Sequence, residues 1–326
     1  MSAADIVAAG LAEVLEPELG PVDIVDLARL SAGANRETWS FDAVAADGTR
    51  HELILQRERA GVDRLIGTCA KEAEILRVAA AHGVPVAEVV VSGMPPGPLE
   101  RSFTVNRRIA GETIGRRFLR DDAWATARER FVVDCAAAMA QIHAISPTEL
   151  AHIDLVDVAD PLDAQLAIYD ALADPHPAFD LGFRWLDAHR PDPVGHCLVH
   201  ADFRLGNLLF DHDGLAAVLD WEITHTGDPG EDLGWICVRA WRFGGAHPVG
   251  GVGDYQALLD AYEAASGVAV PMETLRWWEI YGTLRWGVIC LQLGGDFRAG
   301  RSNSVEMATI GRRVVENEYD LLRLLP

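Results

Sequence analysis

Leu198-Val199-His200-Ala201-Asp202-Phe203-Arg204-Leu205-Gly206-Asn207-Leu208-Leu209-Phe210, followed after a short turn by Val218-Leu219-Asp220-Trp221-Glu222, decides how this chain is read. Two apolar runs flank a polar loop that carries a possible base and two possible metal ligands. A β-rich run ending in His-x-Asp, an Asn five residues beyond that Asp, and a short hairpin ending in a second Asp match the requirements of phosphoryl transfer. In that chemistry one carboxylate orients the hydroxyl nucleophile while an Asn and a second Asp hold magnesium on the nucleotide phosphates. Asp202 is the expected base, and Asn207 and Asp220 are the expected ligands of Mg2+. Magnesium takes hard oxygen donors, keeps several waters and needs only one or two protein groups besides the phosphates.

Each of these residues alone has a plainer explanation. Asp202 and Asn207 would cap turns, Asp211-His212-Asp213-Gly214 would close a hairpin, and Asp220 would end a strand. The joint spacing of His200, Asp202, Asn207, the Gly-closed turn and Asp220 is what favours the phosphotransfer reading.

At these positions the sequence resembles a known family. His200 to Asn207, Leu219-Asp220-Trp221-Glu222 and Gly227-Asp228-Pro229-Gly230-Glu231-Asp232-Leu233-Gly234-Trp235 are similar to the aminoglycoside phosphotransferase superfamily, and most similar to the branch that includes kinase domains fused to acyl-CoA dehydrogenases. The resemblance implies an α+β, protein-kinase-like fold with a small β-rich N-terminal lobe and a larger, mainly helical C-terminal lobe. It implies ATP (or GTP) as co-substrate and a structural role for Asp232 in holding the catalytic loop. The family usually carries Gly where this chain has Ala201.

The 326 residues suffice for two lobes. A net charge of -21 argues against nucleic acid as a partner, because binding a phosphate backbone rests on clustered Lys and Arg. Cys69, Cys135, Cys197, Cys237 and Cys290 are scattered and show no paired metal spacing, so they read as reduced core residues of a cytoplasmic protein. The Met-Ser-Ala-Ala-Asp start lacks the features of a signal peptide, and no run reaches the ~20 apolar residues of a membrane span.

In chain order, residues 3–16 have helical periodicity that Pro17 is expected to end. Val22 to Leu30 and Trp39 to Val44 read as two strands around a small-residue turn, 31–38. Under the resemblance this turn is the nucleotide loop, with Ser31, Gly33 and Asn35 contributing. Asp47-Gly48 leads into a third strand, His51 to Arg57. A kinase-like fold carries there a Lys that contacts phosphate and pairs with a Glu of the next helix. The matching position is Arg57, and Glu72 is its expected partner on the helix from Thr68 to His82, with Glu74 the competing choice. Val84-Pro85-Val86 is expected to start the next strand. Ser102 to Gly111 resembles the hinge, where main-chain groups near Val105 to Arg107 would read the nucleotide base. The lobes are expected to be 1–108 and 109–326.

Beyond the hinge, helices are expected from Asp121 to Ile145, near 162–173 and 179–189, and over Gly253–Ala265, Pro271–Phe297 and Val305–Leu324. His143 and His200 read as braces for the catalytic loop. Arg204, two residues beyond Asp202, lies at the offset where protein kinases place a catalytic-loop Lys, and is expected to reach the transferred phosphoryl group. Glu222 is a candidate for a second metal or a substrate amine. Arg239, Arg242, Arg276 and Arg285, with a Trp-rich helix, hint at an anionic or apolar substrate such as a hydroxyacyl thioester.

The function expected is therefore magnesium-dependent transfer of a γ-phosphate to the hydroxyl of a small molecule, with neither membrane nor nucleic acid as partner. Two other readings compete. A nucleotide-binding but catalytically weak module is encouraged by Arg57 and opposed by the complete Asp202, Asn207 and Asp220 set. A metal-dependent hydrolase is opposed by the lack of His-rich clusters.

Overall fold

The computed structural model describes residues 2–30, 36–59, 68–158 and 160–326. The chain forms two compact units. The first comprises Met1–Gly111, Thr148–Asp154 and Ala216–Ile223; the second comprises Glu112–Pro147, Leu155–Leu215 and Thr224–Pro326.

In the first unit, helix α1 (Ala3–Leu19) opens with a capping box, Ser2 Oγ accepting from Asp5 N at 3.1 Å and the Asp5 carboxylate accepting from Ser2 N at 2.6 Å. The helix runs past Pro17, contrary to the expected stop. A proline this close to the C-terminal end removes one intrahelical bond, and the amide of Gly20 closes the helix on Glu16 O at 2.9 Å. Strands β1 (Val22–Leu30), β2 (Arg36–Ala45), β3 (Arg50–Glu58), β4 (Val89–Gly93) and β5 (Phe103–Arg107) form one antiparallel sheet in the order β1-β2-β3-β5-β4, with helix α2 (Cys69–Ala81) between β3 and β4 in sequence. β4 begins at Val89 rather than at Val84. The amide of Val84 still closes α2 on Ala79 O, and Pro85 has no amide to give a neighbouring strand.

Register sorts this sheet into two faces, because directly paired residues point the same way. Trp39 pairs with Leu55, Phe41 with Leu53, Leu55 with Val105, and Arg57 with Phe103. The apolar members of this set pack on Val7, Leu11 and Leu15 of α1. On the opposite face Thr38 pairs with Gln56, and Gln56 with Thr104. That face lies under α2, whose Ala70 amide bonds Ser102 Oγ at 3.0 Å. The two shorter segments are tied on by hydrogen bonds: Lys71 Nζ to Asp154 O, and Val218 N to Pro85 O.

The second unit is mainly helical. Its elements are α3 (Gly115–Arg120), α4 (Ala125–His143), α5 (Pro161–Leu172), α6 (Pro177–Ala188), β6 (Cys197–Val199), β7 (Leu208–Phe210), β8 (Leu215–Val218, which runs on into the first unit), β9 (His225–Gly227), α7 (Gly230–Trp235), α8 (Tyr255–Ser266), α9 (Met272–Arg298), α10 (Val305–Gly311) and α11 (Val314–Leu324). The long helix expected from Asp121 starts at Ala125, because residues 121–124 turn separately.

α9 is the axis of the core. Trp277, Trp278, Tyr281, Leu284 and Val288 pack against Phe179, Phe183 and Leu186 of α6, Tyr169 of α5 and Leu321 of α11. The Trp-rich helix therefore builds core. The last helix, expected as one, is two. At the break Arg312 and Arg313 bond to Thr309 O and Ile310 O three residues back, beside the contact of Gly311 with the Gly294 backbone.

Candidate active site

In the second unit, β6 pairs antiparallel with β9 and delivers His200 at the start of the polar loop. Asp232, on α7, holds that loop by its main chain. Its two oxygens accept from the amides of His200 and Ala201, each at 2.8 Å. His143 Nε2 lies 3.1 Å from the Asp232 carboxylate and His143 Nδ1 lies 2.8 Å from Tyr262 Oη. Burial raises the Asp232 carboxyl, but His143, His200 and these hydrogen bonds outweigh it and hold it below its ordinary value. The bracing roles expected of Asp232, His143 and His200 are thus seen in contacts, with the His200 ring accepting from Asp202 N at 3.2 Å.

Asp202 stands just inside this support. Its Oδ1 accepts from Arg204 Nε at 3.0 Å and from Trp235 Nε1 at 2.8 Å, and its Oδ2 accepts from Asn207 Nδ2 at 2.5 Å. Asn207 Nδ2 also bonds Asp202 O at 3.1 Å, which leaves Oδ1 of the amide as a hard donor for a cation. Arg204 lies over the Trp241 ring at 4.6 Å, so its partners are the expected base and an aromatic face. Trp235 was not assigned a role from sequence. The available signal was its place three residues after Asp232 on a short helix, which puts both on one face.

Ala201 has φ +67°, in the region that favours glycine. The Gly usual in the similar family would relax it. Ala201→Gly is expected to leave stability unchanged or raise it by about 0.5–1 kcal/mol in urea titration. A loss of more than ~1 kcal/mol would mean that burial of the methyl outweighs the backbone strain.

In the first unit, the expected pair of Arg57 with Glu72 is not formed. Arg57 Nε bonds Glu37, its direct partner on β2, at 2.8 Å. Both lie on the α1 face. Burial would raise the Glu37 carboxyl, but Arg57, with Arg29 and Arg101 further off, holds it below its usual value. Glu72 is instead bound by Arg36 of β2, a buried ion pair. The reason is the two-residue period of a strand: Arg57 is one position out of phase with the α2 face, on which Gln56 stands. Glu72 also accepts from the amide of Trp221 at 3.1 Å, which fixes the segment carrying Asp220. Asp220 has φ +68°, and Glu222 lies 3.7 Å from Arg36 Nε.

Val105 lies in an interior strand paired on both sides, and Arg107 N bonds Glu88 O at 2.9 Å, so these groups are engaged in or beside the sheet. Among the arginines taken to favour an anionic substrate, Arg242 and Arg276 bind the buried Glu279, and Arg285 binds Glu231 at 2.7 Å. Arg239 is 3.3 Å from Asp320. Ser31, Gly33 and Asn35 lie outside the described residues. Among the described residues no three His, Cys, Asp or Glu side chains form a metal cage, and no helix is long and apolar enough to cross a membrane. All five cysteines are buried and unpaired.

A helical unit with a braced His-x-Asp loop and a five-stranded antiparallel unit with a helix on each face define the class of kinase-like phosphotransferases. The chain belongs to the phosphotransferase enzyme family, whose model matches residues 31–277. It is similar along its length to a Ralstonia eutropha JMP134 protein assigned to the aminoglycoside phosphotransferases, with TM-score 0.74 and 18% identity over 98% of this chain and 97% of that one. The GDP complex of aminoglycoside 2'-phosphotransferase-IIIa superposes with TM-score 0.63 and 13% identity, over 96% and 99%. A thermostable aminoglycoside phosphotransferase mutant bound to AMP-PNP and hygromycin B gives 0.59 and 19%, over 95% and 98%. The fold is therefore protein-kinase-like. In sequence, acyl-CoA dehydrogenase family member 10 of Mus musculus is 42% identical over 64 residues, which is 19% of this chain and 6% of that protein's length.

Proposed function

We propose that the chain is a small-molecule kinase that moves the γ-phosphate of ATP (or GTP) to a substrate hydroxyl with Mg2+ as cofactor. The observation that carries this reading is the Asp202 carboxylate, held on Arg204, Trp235 and Asn207 in a loop whose main chain is clamped by Asp232. Phosphoryl transfer asks for positioning and charge neutralisation more than for covalent work by the protein. Asp202 would accept the hydrogen bond of the incoming hydroxyl and take its proton as the new O–P bond forms and the bond to the β-phosphate oxygen breaks. Arg204, already on Asp202, would meet charge on the transferred group.

The donor chemistry of Asn207 and Asp220 fits magnesium, which would neutralise the phosphate oxygens when bound. The solved relatives' complexes with GDP and AMP-PNP support a purine nucleotide as donor. The arginine pairings withdraw the argument for an anionic acceptor, so the acceptor is proposed as a small alcohol, and the buried free thiols support a proposed cytoplasmic, reducing compartment.

A nucleotide-binding, catalytically weak module is the second reading, favoured by the engagement of Arg57 with Glu37. Calorimetry with ATP and GTP, with and without magnesium, tests both. Magnesium-dependent binding is expected for the wild type and is expected to fall at least ~10-fold in Asp220→Asn, the scale of one charged contact. Binding without turnover of any hydroxyl acceptor would favour the second reading, and absence of binding would refute both.

A further inference from the structure

Arg36 carries a feature that its ion pair does not explain. Its Nη1 binds Glu72 and its Nε lies 3.7 Å from Glu222, yet its Nη2 is buried with no hydrogen-bond partner among the described residues. The residue as a whole is 7% exposed. Burial opposes the charge, but Glu72, with Cys69 and Glu222 behind it, raises the guanidinium pKa above its ordinary value, so Arg36 stays a cation. A buried charged donor without an acceptor costs more than a neutral one, and native proteins keep few. An arginine fork held on one edge by a carboxylate and left with an unpaired donor on another is suited to an oxyanion.

The surroundings say which oxyanion. Glu72 joins Arg36 to the Trp221 amide, one residue past Asp220. The cation and the proposed metal ligand are therefore tied by one carboxylate within the same unit. The β3 arginine cannot take this place, since Arg57 stands on the α1 face with Glu37. Gln56, which does share the α2 face, is uncharged.

We infer that Arg36, on β2, is the cation that contacts the nucleotide phosphates, in place of a cation on β3. This rests on the kinase reading above. Glu72 then acts as a positioning residue that fixes both the guanidinium and the segment of Asp220.

The test uses the full chain and MgATP, MgADP and adenosine as probes, with calorimetric Kd and a thermal melt for every variant. Arg36→Gln is expected to weaken MgATP about 10- to 100-fold, the range of a charged hydrogen bond, while adenosine affinity stays within about threefold. Loss of phosphate contact lowers the preference for ATP over adenosine, whereas a merely structural role would lower both affinities together. Because Arg36→Gln leaves Glu72 without its cation, a second variant restores the charge from the neighbouring strand. Thr38 pairs with Gln56 and Arg36 with Glu58, so positions 36 and 56 are diagonal neighbours on one face. The double variant Arg36→Gln with Gln56→Lys is expected to regain MgATP affinity to within about tenfold of wild type, and Arg57→Gln to keep it.

Unchanged MgATP affinity in a folded Arg36→Gln, equal loss of ATP and adenosine, failure of a folded double variant to regain affinity, or loss confined to Arg57→Gln would each overturn the assignment while leaving the kinase reading in place. A wild type that binds no MgATP would overturn both.

Discussion

Asp202→Asn is expected to lower kcat by about 10²- to 10⁴-fold, the range that a positioned acid or base contributes, with MgATP affinity within about threefold of wild type. Asparagine keeps the size of the side chain and one oxygen able to accept from Arg204 and Trp235, so the loop stays in place. What it lacks is a site for the hydroxyl's proton and the negative charge that aligns the nucleophile. Oδ2, the atom replaced in one orientation, is the one on Asn207 at 2.5 Å, and an amide there would set two NH2 groups against each other. The proposed magnesium ligand would then shift, and a small rise in Kd for MgATP would report it. A variant with full turnover on a confirmed acceptor would remove Asp202 from the chemistry. A variant that loses nucleotide affinity as strongly as turnover would make it a scaffold residue.

The motifs legible in the sequence were those whose meaning is local. His200, Asp202 and Asn207 sit within one loop, so spacing alone predicted that they meet, and the structure gives Asp202 both oxygens' worth of partners there. Asp232 was expected on the loop by resemblance, and its two amide bonds bear this out. What spacing could not give was the sheet's phase. Arg57 and Gln56 are adjacent, and a shift of one residue sends a side chain to the opposite face. Only the register with β2 and β5 shows that Arg57 looks toward α1 and that Arg36, far away in sequence, meets Glu72.

The same limit hid the arginine pairings. Arg242 and Arg276 read as substrate groups because their partner Glu279 gives no sign in sequence that it is buried; burial raises its carboxyl even against both arginines. Helix ends were misread where a tertiary contact or tolerance near a terminus overrode the local rule, at Pro17 and at Gly311.

Asp232→Asn is expected to destabilise the second unit by about 2–4 kcal/mol in urea titration, from leaving buried donors poorly matched. The carboxylate is wholly buried and takes three partners: two loop amides and His143. An amide offers one acceptor oxygen and places N–H groups against N–H groups on its other side, so at least one buried donor loses its partner. The loop it clamps carries Asp202, so under the proposed function turnover is expected to fall with stability, without Asp232 touching substrate.

The pH dependence separates this carboxylate from the other acidic groups of a chain with net charge -21. The folded carboxyl titrates below its ordinary value of 3.8, so the unfolded chain binds the proton more readily. The stabilisation from Asp232 is complete above about pH 4 and is lost as pH falls through the lower folded value. The stability gap between wild type and Asp232→Asn is therefore expected to narrow as pH falls below about 4. Other carboxylates contribute equally to both proteins and cancel from the difference. A gap that stays constant into acid would mean that the loop is held by the shape of the side chain rather than by its charge.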